Sequence, residues 1–174
     1  MLSLSSIAGW EVAVLASIGG ATGTTEERDR QIERSGVYGE YPAILSAYLE
    51  LYSDAESVLE AVKRSTFLVW RSAISLPTES AIAELPEGMA RAVIHGLDGL
   101  LRRGAGDDEL VWMLAHYASE GRFVFELYGA TPTLFQHAES RDAESWRAMP
   151  ITPARMALRG QLGQYWLGKA GTTR

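Results

Sequence analysis

The sequence predicts an all-α protein, a single-domain bundle of six to eight helices joined by short loops. Three observations carry that expectation. Large apolar residues recur at spacings of three and four through most of the chain. Five segments open on a helix-start signal, while no run alternates apolar and polar residues as a half-buried strand does. The length of 174 residues, 47% hydrophobic and 22% charged, suits one core and is short for two.

The elements follow in order. Ile7, Trp10, Val14 and Ile18 share a helical face, so residues 4–18 form a first helix that ends at Gly19-Gly20. Thr24 and Glu27 have the spacing of a capping box, which opens a polar helix from Thr25 to Arg34 with only Ile32 to bury. Pro42 starts the next helix, with Ile44, Leu45, Tyr48, Leu51 and Tyr52 on one side. A second capping box at Ser53 and Glu56 leads into a long helix over 54–75, striped by Val58, Val62, Val69 and Trp70 and closed by Pro77. Pro86 opens a helix carrying Met89, Val93, Leu97 and Leu100 to the glycines at 104 and 106. Asp107, Asp108 and Glu109 favour the N-terminus of a helix reaching Tyr128. Trp112, His116 and Phe123 lie together on a second face of it, which marks that helix as central. Thr131-Pro132 and Thr152-Pro153 each read as an N-cap followed by proline, the latter opening a last helix from Pro153 to Leu167. The helices over 54–75, 86–104 and 107–128 are the expected antiparallel centre. Residues 1–174 thus form one helical domain, with an N-terminal helix and glycine-rich turn at 1–23 and a basic helical segment at 145–174.

A second reading of residues 11–23, as strand, glycine loop and helix, has neither the spacing of a dinucleotide fingerprint nor the lysine of a phosphate loop. The chain has no cysteine, which removes disulfides, thiolate metal sites and a cysteine nucleophile. No window offers the apolar residues of a membrane span, and the N-terminus lacks the basic start of a secretory signal, so a cytoplasmic protein is expected. Fourteen arginines against two lysines, with no asparagine, match the codon bias of a GC-rich bacterial genome.

The net charge is -6. It is uneven: residues 145–174 carry five basic and no acidic side chains. That segment either docks on the acidic body or meets an acidic partner. Nucleic acid is a poor match for so acidic a chain.

His95, His116 and His137 come from three different helices, and Glu120 lies one turn beyond His116. Four such residues are the candidate ligand or metal site, although no metal-binding spacing such as Glu-x-x-His is present. His95 falls among Arg91, Asp98 and Arg102, a surface setting, so no metal and no cofactor is expected. Glu126, set among apolar neighbours, has Arg122 one turn away as its natural partner. No catalytic residue stands out.

Candidate interface residues are more numerous. Phe67, Arg71 and Ile74 fall on the charged side of the long helix. Leu158, Leu162 and Trp166 share a face of the last helix, and Gly160 and Gly163 offer close backbone approach on the other. The alternative for these faces is a second layer of the chain's own core. These observations lead to a non-enzymatic helical interaction domain, with itself or another protein as partner. The alternatives are a small-molecule- or metal-dependent enzyme or sensor built on His116 and Glu120, and a binder of an acidic partner through 145–174.

Overall fold

A computed structural model describes residues 2–172. Among them every regular element is helical and no strand occurs. Ten α-helices follow one another: α1 Leu4–Ile18, α2 Thr25–Ser35, α3 Glu40–Glu50, α4 Val58–Ile74, α5 Pro77–Ser80, α6 Glu87–Arg102, α7 Asp108–Leu127, α8 Pro132–Glu139, α9 Pro153–Met156 and α10 Gly160–Gly171. The count exceeds the expected six to eight. α5 is a single turn, and the expected last helix is split into α9 and α10.

α4 is the centre. Every residue from Ala61 to Trp70 is buried, so this helix has no solvent face over that stretch. α3, α6, α7 and α10 all pack on it. α6 and α7 each lie against α4 and α8, and they meet through these two rather than as a close antiparallel pair. One continuous apolar cluster runs from Ile7 in α1 to Trp166 in α10.

Several local expectations are met at atomic detail. Thr24 Oγ1 accepts from Glu27 N–H while the Glu27 carboxylate accepts from Thr24 N–H, a complete capping box. Asp107 caps α7 by accepting from Leu110 N–H at 2.9 Å, and Thr152 caps α9 through Arg155 N–H. Arg122 donates to Glu126 at 2.9 Å, the one-turn pairing expected for that carboxylate.

Three expectations are corrected. The long helix begins at Val58 and not at Asp54, because residues 51–53 form a 3-10 turn that Asp54 terminates in an extended conformation. Phe123 is exposed and does not extend the Trp112–His116 face. Gly121 has non-helical angles, φ -155° and ψ 47°, and this kink resets the rotation of everything after it. The continuous helix from Pro153 to Leu167 is interrupted at 157–159. Leu158 and Gly160 both sit at φ +57°, in the left-handed region that ends one helix and redirects the chain into the next.

Candidate functional site

The three histidines remain apart. His95 is exposed on α6, His137 is half-buried on α8, and His116 is buried in α7. No group of three or more His, Asp and Glu side chains able to hold a metal occurs among the described residues.

His116 is the centre of an aromatic box. The rings of Trp70, Tyr117, Trp146, Tyr165 and Trp166 lie 5.0 to 6.2 Å from the imidazole. Only 2% of the residue reaches solvent. Nε2 is 2.7 Å from the Tyr165 hydroxyl and 3.5 Å from Glu120 Oε1, and Glu120 also accepts from Lys169 at 2.9 Å. Nδ1 is buried without a hydrogen-bond partner. Burial drives the imidazole down to about 4, against the opposing pull of Glu120, so the ring is neutral at physiological pH. His116 and Glu120 therefore do meet, at the edge of a filled core.

A second polar centre was not apparent from the pattern of site motifs. Glu11 on α1 is 1% exposed. Its Oε1 accepts from the Tyr48 hydroxyl at 2.5 Å and its Oε2 from Gln161 N–H at 2.7 Å. Gln161 in turn donates its amide to the Tyr41 hydroxyl and to the Ser80 carbonyl. Glu11 thus caps the first turn of α10 from 150 residues away. Gly160 makes this possible: a Cβ there would stand 2.5 Å from Glu11 Oε2. Burial raises the Glu11 carboxyl to about 7, although Tyr48, Gln161 and Arg64 all oppose the shift. A sequence signal existed. Glu11 is the single charge in α1 and falls on the stripe of Ile7, Val14 and Ile18, where a solvated glutamate does not belong.

Asp98 repeats the device. It is buried on α6 and accepts from both N–H and Oγ1 of Thr131, each at 2.8 Å, holding the start of α8. Thr131 itself makes no capping bond within α8, so the expected N-cap is supplied from α6 instead.

The basic segment docks on the acidic body. Arg159, buried, donates to both oxygens of Glu60 at 2.6 and 2.7 Å and to both oxygens of Glu109 at 2.9 and 3.1 Å. Lys63 adds bonds to Asp107 at 2.7 Å and Glu109 at 2.6 Å, and Arg64 one to Glu60 at 2.7 Å. Burial alone lifts the Glu109 carboxyl, but the hydrogen bonds from Arg159 and Lys63 outweigh it and hold the group below its ordinary range.

The candidate interface residues divide. Phe67, Leu162 and Trp166 are inside the chain's own core, Phe67 against Trp70, Tyr117 and Tyr165. Ile74 is half-buried, and Arg71 lies over the Tyr165 ring at 5.6 Å. Gly163 is packed on the Met156 carbonyl, so its missing side chain serves the α9–α10 turn. Leu158 alone among them is strongly exposed, at 73%.

Leu158 borders a groove of about 380 Å³ between α1 and the α9–α10 turn. Ala8, Gly9 and Val12 form one wall, and Met156, Ala157 and Leu167 the other. Val12 is 46% exposed. No family model, curated protein or solved structure matches the chain.

Proposed function

We propose that this chain is a non-enzymatic helical interaction domain that docks a protein partner on the face made by α1, α9 and α10. The groove carries the reading. It joins Val12 at one recess to Leu158, the most exposed large apolar side chain among the described residues. Leu158 is held outward by a left-handed backbone, a conformation that costs a leucine about 1–2 kcal/mol. The buried ionisable groups support the same reading from the other side. Glu11, Asp98, Lys63 and Arg159 are each spent on joining helices.

The test is a photoreactive phenylalanine analogue placed at position 12 or 158, with position 33 on α2 as control, irradiated in cells. The expected result is a discrete adduct from the first two positions only. Equal labelling at all three removes the docking face.

The unpartnered Nδ1 of His116 favours a second reading, a small-molecule or metal-responsive site at His116 and Glu120. Its test is thermal unfolding with zinc, nickel or imidazole-like ligands. A rise in midpoint that His116→Phe abolishes supports it.

A further inference from the structure

We infer that the partner of the α1–α9–α10 face is a second copy of this chain, joined about a two-fold axis with Leu158 of each copy seated in the groove of the other. The inference rests on the docking reading above and names its occupant.

Two features single out a second copy. The first is self-complementarity. A two-fold contact requires a surface that carries both a projection and the recess that receives it. Leu158 projects, and the recess beside it is lined by Gly9, Val12 and Leu167 of the same face. No atom outside α1 stands within 4 Å of where a Gly9 side chain would begin, so another backbone has room to approach there.

The second feature is charge. The chain carries -6, so most of its surfaces repel their own copies. The outward side of α1 carries no charge. The helix's one charged residue, Glu11, is buried and points into the core, leaving Ser5, Gly9, Val12, Ala13 and Ala16 outward over the 15-residue helix. Arg159, which also lines the groove, is already paired with Glu60 and Glu109, so two such grooves meet without unpaired like charges opposed. Another exposed apolar patch, around Leu127 and Tyr128, is bordered by Glu84 and Glu87, which two-fold pairing would set against themselves.

Light scattering across concentrations from about 1 to about 100 µM is expected to move the mass from 19.0 kDa toward twice that value. Val12→Glu and Leu158→Glu are each expected to raise the dissociation constant at least about tenfold, with the helical circular dichroism unchanged because both side chains are solvent-facing. Ala16→Glu is the substitute where either fails to fold. The chain has no cysteine, so a lone Val12→Cys links only to another copy, and an oxidised dimer is expected from it but not from Glu33→Cys. A mass fixed at 19.0 kDa, or a dimer indifferent to these substitutions, overturns the inference. In that event, photoadducts from positions 12 and 158 to a different protein keep the docking reading, and their absence removes both.

Discussion

Glu11 and His116 have their proton equilibria moved by burial in opposite directions. The Glu11 carboxyl is raised from 4.5 to about 7, so the folded chain holds a proton there that the unfolded chain has released. Its contribution to stability is complete below pH 4.5 and is lost as pH rises through 7. The His116 ring is lowered from 6.5 to about 4, so the unfolded chain binds the extra proton. Its contribution is complete above pH 6.5 and is lost as pH falls through 4. Each is worth up to about 3 kcal/mol, and the two slopes oppose each other between pH 4.5 and 6.5. Stability is therefore expected to be nearly flat there. His116→Phe should leave a stability that falls with rising pH, and Glu11→Gln one that rises. Urea unfolding at five pH values reads this directly, and two variants with slopes of the same sign would refute it. Gly160 gives a second prediction at this scale. Alanine there would adopt φ +57° and press its Cβ on Glu11, so Gly160→Ala should cost at least about 2 kcal/mol. Gly168 on the same helix has open space and an ordinary backbone, and Gly168→Ala should gain about 0.5–1 kcal/mol.

At the scale of elements, local chemistry was legible and its interruptions were not. Thr24, Asp107 and Thr152 announce helix starts because a side-chain oxygen and the N–H three residues on are neighbours in sequence. The single apolar residue of α2, Ile32, announces a surface helix for the same reason. The break at 157–159 depends on partners far away. Gly160 leaves the helical path where Glu11 arrives, and nothing within 153–167 encodes that arrival. Lys63 and Arg64 share the charged side of α4 with Arg71, and they are buried because Asp107, Glu109 and Glu60 meet them there. The α7 kink is similar. Trp70 Nε1 donates to the Tyr117 carbonyl at 3.0 Å, and at Gly121 a Cβ would meet that nitrogen at 3.0 Å and Ile74 Cγ2 at 3.1 Å. Gly121→Ala is expected to destabilise by about 1–3 kcal/mol and to shift the tryptophan fluorescence, since α4 and α7 must part to admit the methyl. An unchanged spectrum and midpoint would mean that the kink is set elsewhere. As to the candidate site, the pairing of His116 with Glu120 was legible from one-turn spacing, whereas Phe67 and Trp166 share a core only through a meeting of α4 and α10 that periodicity does not report.

At the scale of the molecule, the C-terminal segment is joined to the centre by charge. Arg159 holds Glu60 of α4 and Glu109 of α7 with four hydrogen bonds, 99 and 50 residues away in sequence. This is how an acidic body of 144 residues retains a basic segment whose only long apolar helix is α10. A buried pair is fragile to the removal of one member, because the charge left behind has lost its water as well as its partner. Arg159→Met should therefore cost about 3 kcal/mol, the low end for such a deletion, since Glu60 keeps Arg64 and Glu109 keeps Lys63. The exposed pairs of Arg122 with Glu126 and Glu139 show the opposite regime. Those pairs stay hydrated and salt screens them, so Arg122→Ala should lower the unfolding midpoint only slightly, through the guanidinium it withdraws from 4.0 Å above the Phe135 ring. The two variants separate further in sodium chloride. Raising it to about 1 M shrinks the screening length to about 3 Å, which erases surface attraction but reaches a dry pair poorly. The Arg159→Met deficit should persist at high salt. A deficit that disappears there would place Arg159 in water, and the last helix would then be held to α4 and α7 by apolar packing and the hydrogen bonds of Tyr165 and Trp166.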